Sequence, residues 1–360
     1  MAQDRTLGLM ATLMFWFLAG CATGMRPSLQ QQQPSADNFF IQFDDGVATY
    51  YSMDLSNGDV TLKQVISIPG TGYAAGMDPL GRFVWVAQQG VAEHDTIIEP
   101  PPTLNTYARM QDGFFSASDQ RDYQPRIGQI AVERQGKWAY ADGPGERRIF
   151  SISPVDGHLE GAGRIAPMEE SAAMLTLQPT KNIFYGFNIR NFLTPTQTTV
   201  FAAYAPDNDT GELKPLPNVA TEVGYEIREM AFTSDGRYLV VYDFDPTSRV
   251  HLLAVDEDGS LTEVDALTPA SYPSRLVPHP KLPIVYHQSL EGGGLPAFRV
   301  ENGALTELPK IQVPGDPFVL HISSNGRFML VQSNQVYLVT LDPQTGAATD
   351  IHTVNFPSPF

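Results

Sequence analysis

Arg126, Arg228 and Arg275 each stand in or just before a short apolar segment, and Glu226, Glu229 and Asp316 sit in or beside segments of the same kind. A guanidinium is a fixed fork of donors suited to a carboxylate, a phosphate or a developing oxyanion. A nearby carboxylate can take a proton from water. Arg228 is therefore the candidate for holding a carboxylate or stabilising an oxyanion, and Glu226 and Glu229 are the candidate bases. Arg126, Arg275, Asp316, Tyr73 and Phe318 complete the candidate ligand-binding surround. The alternative is that Arg228 pairs with Glu226 and Asp316 and staples neighbouring segments, since charges are rarely buried unpaired. The seven histidines (94, 158, 251, 279, 287, 321 and 352) have no metal-ligand spacing, so no metal or cofactor is expected. Asp256-Glu257-Asp258-Gly259 opens like a calcium loop but lacks the later ligands, and a hairpin turn accounts for it.

Cys21 is the only cysteine, in Leu18-Ala19-Gly20-Cys21. That tetrapeptide has the form of a bacterial lipobox. Residues 1–20 read as a signal peptide: a short polar start with Arg5, the apolar run LGLMATLMFWF, then small residues. The run is too short to span a bilayer comfortably. Cleavage before Cys21 and lipid attachment to it would place the protein in the cell envelope, on the membrane through its anchor alone. Cytosolic cofactors such as ATP or NADPH are then not expected. By resemblance to enterobacterial sorting rules, Ala22 after the cysteine favours the outer membrane. Residues 21–37, rich in Gln, Ser and Pro, read as a flexible tether.

Residues 38–360 hold one repeated design. The net charge of −17 argues against nucleic acid. Thirty glycines, twenty-nine prolines and few charges describe a strand-and-turn protein. A turn followed by a basic and an aromatic residue recurs at Gly81-Arg82-Phe83, Gly136-Lys137-Trp138, Gly236-Arg237-Tyr238 and Gly326-Arg327-Phe328, with degenerate copies around Lys181 and Lys281. A glycine hairpin turn recurs at Gly58, Gly113, Gly157, Gly211, Gly259, Gly303 and Gly346, at spacings of 43 to 55 residues. Such turns suit tight hairpins because glycine accepts positive φ. A repeat of about 45 residues with four short strands predicts propeller blades. The chain is thus expected to be all-β: a seven-bladed β-propeller with four-stranded antiparallel blades around a central channel.

Both turn signals fall on one face. The long connections, Gln88 to Pro102 and Asn188 to Thr198, fall on the other, where binding usually resides. The inner strands start on that face, so the candidate residues would ring an axial funnel. Large residues such as Met77, Val132, Phe232, Val277 and Ile322 close these strands, next to mostly small ones. Only six inner strands are visible. Ring closure by chain ends would take the seventh from the C-terminus, whose prolines suit at best a short edge strand.

Thr233-Ser234-Asp235-Gly236-Arg237-Tyr238-Leu239-Val240, the hairpin Asp207-Asn208-Asp209-Thr210-Gly211-Glu212-Leu213 and the blade count resemble the β-propeller lactonase family, which includes propeller-type 6-phosphogluconolactonase and carboxymuconate cyclase. The resemblance covers most of residues 38–354. It implies catalytic groups at the starts of inner strands, and Arg228 falls where the family has an arginine. The family histidine falls at or near Ala173, its last-blade arginine near Phe318, and its glutamate near Asp243 to Asp245, where only an unlike carboxylate could substitute. Two functions follow: a lactonase-like propeller binding a small anionic ligand, of sugar-acid or lactone type, in its funnel and hydrolysing it; or a non-catalytic envelope scaffold whose long-connection face binds another protein.

Overall fold

The computed structural model describes residues 28–30, 39–44, 47–68, 71–89, 91–93, 96–98, 103–122, 127–143, 146–164, 174–190, 198–217, 221–223, 227–243, 248–289 and 293–354. Residues 1–20, read as a signal peptide, and Cys21 lie outside them. Among the described residues every regular element is a strand, and seven antiparallel sheets form the blades. Blade one is β1 (Ser28–Gln30), β2 (Phe39–Asp44), β3 (Val47–Met53) and β4 (Val60–Ser67). Blade two is β5 (Thr71–Met77), β6 (Phe83–Gln89), β9 (Thr103–Arg109) and β10 (Phe115–Asp122), with a separate hairpin of β7 (Val91–Glu93) and β8 (Thr96–Ile98) between its second and third strands. Blade three is β11 (Gln129–Val132), β12 (Trp138–Gly143), β13 (Glu146–Ile152) and β14 (Leu159–Arg164). Blade four is β15 (Met174–Leu177), β16 (Phe184–Arg190), β17 (Thr198–Pro206) and β18 (Leu213–Pro215), with β19 (Thr221–Val223) also paired to β17. Blade five is β20 (Ile227–Phe232), β21 (Tyr238–Asp243), β22 (Val250–Val255) and β23 (Leu261–Leu267). Blade six is β24 (Pro273–Pro278), β25 (Ile284–Ser289), β26 (Leu295–Glu301) and β27 (Ala304–Ile311). Blade seven is β28 (Phe318–Ile322), β29 (Phe328–Gln332), β30 (Val336–Leu341) and β31 (Ala348–Thr353).

The middle strands are apolar at successive positions because both their faces are covered. Successive side chains point to opposite sides of a strand. In β21, Leu239 and Val241 pack toward blade four while Val240 and Tyr242 pack toward blade six. In β29, Met329 and Val331 face blade six, and Phe328 and Leu330 face blade one. Seven apolar clusters result, one at each seam of the ring. Burying one such side chain contributes roughly 1.5–3 kcal/mol, so seven seams serve as the core of one domain.

The tight-turn face is latched. A hydroxyl or indole from the second strand of one blade donates to the hairpin-glycine carbonyl of the next: Trp85 to Gly157 at 2.9 Å, Tyr140 to Gly211 at 2.9 Å, Tyr185 to Gly259 at 2.9 Å and Tyr286 to Gly346 at 3.0 Å. The residue leaving the inner strand of blades two to seven is polar and almost fully buried: Asp78, Glu133, Gln178, Thr233, His279 and Ser323. Each serves its own turn or the next blade. His279 Nδ1 accepts the amides of Lys281 and Leu282, which leaves Nε2 to donate to the Gly326 carbonyl at 3.0 Å.

Two expectations are corrected here. The inner strand of blade one comes from the N-terminal side: β1 pairs with β2 and lies beside β28 and β5, so Ser28–Gln30, read as tether, is part of the ring. Without it the inner edge of β2 would present unpaired backbone groups, and three residues of any pattern can supply the pairing. The sixth copy of the basic-aromatic turn is also centred one residue later than read. Pro278 pairs with Val285 as Phe232 pairs with Leu239, so Leu282 takes the place of Gly236. The two prolines around it hid that shift.

Candidate functional site: the axial funnel

Inner strands start on the long-connection face, and several are bulged there. Register breaks fall between Gly72 and Ala74, between Ile227 and Glu229, and between Pro273 and Arg275. Tyr73, Arg228 and Ser274 therefore have no cross-strand partner in their ladders. A bulge of this kind bends the strand and re-aims its neighbours. For Tyr73 and Arg228 the structure describes the strand position only. Arg126 and Glu226 lie outside the described residues.

The funnel charges that the structure brings together are Glu229 and Arg275, on the adjacent inner strands β20 and β24. Their register has an informative counterpart in blade three. Gln129 lies opposite Asp142, and Glu229 lies opposite Tyr242, at equal distances from Gly136 and Gly236. Gln129 lines a cavity of about 110 Å³ at the axis between blades two, three and four. Its side-chain amide clamps the next inner strand at both ends: Nε2 donates to the Leu175 carbonyl at 2.7 Å and Oε1 accepts the Leu175 amide at 2.9 Å. Glu229 accepts the corresponding amide, from Leu276, but has no proton to donate in return when ionised. Where blade three closes its seam with a neutral amide, blades five and six place a carboxylate within electrostatic reach of a guanidinium. Burial pushes the Glu229 carboxyl up to about 7, against the opposing pull of Arg275 and the Leu276 amide. Burial also lowers the Arg275 pKa, partly offset by Glu229. A carboxyl held near neutrality beside a cation can exchange a proton at physiological pH.

The remaining candidates separate. Phe318 is half-buried and packs on the seam between blades seven and one. Asp316 is exposed on the connection into blade seven.

Sequence reading missed three polar groups on the same face. Asp142 and Arg147 form a buried two-bond pair across β12 and β13, with Arg147 Nη2 2.9 Å from Asp142 Oδ2. The Gln88 side-chain oxygen accepts from Thr103 and Asn105 at 2.7 and 2.8 Å. His251 stands between two carboxylates, Nε2 2.9 Å from Asp243 and Nδ1 3.3 Å from Glu263. Asp243 also accepts the Arg249 amide and is 2% exposed. It thus joins β21 to β22. The signal for each group was a polar residue at a strand end facing another across a short loop, which only the register makes visible.

No protein-family model matches the chain, and no curated protein matches it either. Solved structures do match. A periplasmic gluconolactonase of Pseudomonas aeruginosa superimposes with a TM-score of 0.66 at 16% identity, over 88% of this chain and 95% of that one. Proteins of Bacteroides uniformis and Bacteroides fragilis, both provisionally assigned as 6-phosphogluconolactonases, give TM-scores of 0.64 and 0.61 at 14% and 16% identity. Each comparison spans 89% of this chain and 97% of the other. The chain therefore shares its whole seven-bladed β-propeller fold with the gluconolactonase-like propellers.

Proposed function

We propose that this propeller is an envelope-anchored, lactonase-like protein that takes a small anionic ligand of sugar-acid or lactone type in its funnel and hydrolyses the lactone. The observation that carries the reading is the Glu229–Arg275 pair at a position where blade three uses a neutral glutamine. For hydrolysis, ionised Glu229 removes a proton from a water as its oxygen attacks the lactone carbonyl. The guanidinium of Arg275 bears the developing oxyanion. The ring C–O bond then breaks, and the proton held by Glu229 passes to the leaving alkoxide. The likeness in fold to a periplasmic gluconolactonase supports the substrate class and the location. Turnover of aldonolactones by the Cys21→Ser soluble form, followed by acid release, tests this. Glu229→Gln should lower the rate by at least about a hundredfold, the lower range for a general base. Unchanged turnover in that variant, or no turnover and no ligand-induced rise in melting temperature in the parent, refutes it. The second result favours a scaffold reading with the partner on the tight-turn face rather than the expected long-connection face, since Leu80, Met110, Phe114 and Val155 are exposed there on blades two and three.

A further inference from the structure

Strand β1 brings the anchor close to the funnel. Six residues, 22–27, separate Cys21 from Ser28. Seven steps of extended chain reach about 25 Å at most. β1 runs antiparallel to β2, with Ser28 opposite Gln42 and Gln30 opposite Phe40. β2 itself ends on the long-connection face, since the β3–β4 hairpin at Gly58 packs on the turn face against Phe328 and Leu338. Ser28 therefore lies at the funnel end of the ring's innermost layer.

We propose that the anchor holds the propeller mouth-down: the funnel face looks onto the membrane surface at close range, the tight-turn face looks away, and ligand reaches the funnel through the membrane-proximal layer. The inference rests on Cys21 being lipidated. The opposite pose fails, because a leash running down the axis would occupy the funnel that the ligand needs, and the outer route fails on length. A leash leaving the funnel mouth would have to pass outward across a blade, three strand spacings or about 14 Å, and then down its depth, about 20 Å for six residues. That sum exceeds the reach of residues 22–27.

The test uses the lipidated protein extracted from membranes and inserted into phosphatidylcholine vesicles that carry an acceptor dye on a lipid headgroup. Because Cys21 is the only cysteine, a donor dye can be placed singly through Gln312→Cys on the funnel face or Val155→Cys on the turn face; both positions are exposed. Energy transfer from position 312 should exceed that from 155 several-fold. Inserting about twenty Gly and Ser residues after Met25 should bring the two signals together by lengthening the leash, while the protein stays in the detergent phase. Equal transfer without the insertion, or stronger transfer from 155, overturns the orientation. If wild type and Cys21→Ser have the same mass shift and the same detergent partitioning, the anchor itself is absent and the inference falls with it. The two failures are thus distinguishable.

Discussion

At Glu229 and at His287 and His321, pH acts with opposite signs. The Glu229 carboxyl is raised from 4.5 to about 7, so the folded state holds its proton more tightly than the unfolded chain. The stability this contributes is fully present below the unfolded value and is lost as pH rises through the folded one. Glu229→Gln keeps the shape without the charge. Its melting temperature should match wild type near pH 4.5 and exceed it above about 7, the window set by the two pKa values. Thermal unfolding followed across that range checks this; a constant difference would refute it. His321, stacked on Phe40 at 4.7 Å, and His287, stacked on Phe298 at 4.6 Å, are lowered by burial to about 3 and about 4. Their contribution is present above the ordinary histidine value of 6.5 and is lost as pH falls toward those values. His321→Phe should flatten acid unfolding below about pH 6, as read by far-ultraviolet circular dichroism, whereas a surface substitution such as His352→Phe should not. Glu229 and Arg275 stood out singly because charge is conspicuous in an apolar strand. The pairing of Glu229 with Arg275 did not, because it depends on two bulges and on the one-residue offset of blade six.

The latches decide stability at the level of strands and turns. A tyrosine in an apolar strand reads as core, and a glycine in a turn reads as local geometry. Neither pattern says that one blade's hydroxyl meets the next blade's turn. Tyr185→Phe should cost about 1 kcal/mol, the net value of one hydrogen bond plus the orphaned carbonyl. Gly157→Ala should cost more, roughly 2–4 kcal/mol. Gly157 has a φ of 75°, and an added Cβ would fall 2.3 Å from the Phe83 ring. Urea unfolding of the two variants checks the order; a milder effect for Gly157→Ala than for Tyr185→Phe would show that the turn yields. The four Gly-centred copies of the basic-aromatic turn were easily read because glycine, a cation and an aromatic ring coincide. The cation lies near its neighbouring ring in each: Arg82 over Phe83 at 5.1 Å, Lys137 over Trp138 at 5.6 Å, Arg237 over Tyr238 at 5.7 Å and Arg327 over Phe328 at 5.5 Å.

For the molecule as a whole, blade number followed from repeat spacing because each blade must bury both faces, and only a closed ring does that. The closing strand could not be read. Ser28-Leu29-Gln30 carries no apolar alternation and stands in a Gln-rich stretch, and what fixes it is a vacancy left by strands far away in sequence. Every blade is consequently one uninterrupted stretch of chain. The chain enters the ring at Ser28 and its last strand, β31, ends on the same face. Elsewhere on that face, consecutive blades are joined by as few as three residues, as between Ser67 and Thr71. The two termini stand where one more crossing of that kind would run. A circular permutant joined there by a short linker and opened between any other two blades would keep all seven sheets whole, with no strand exchanged between the ends.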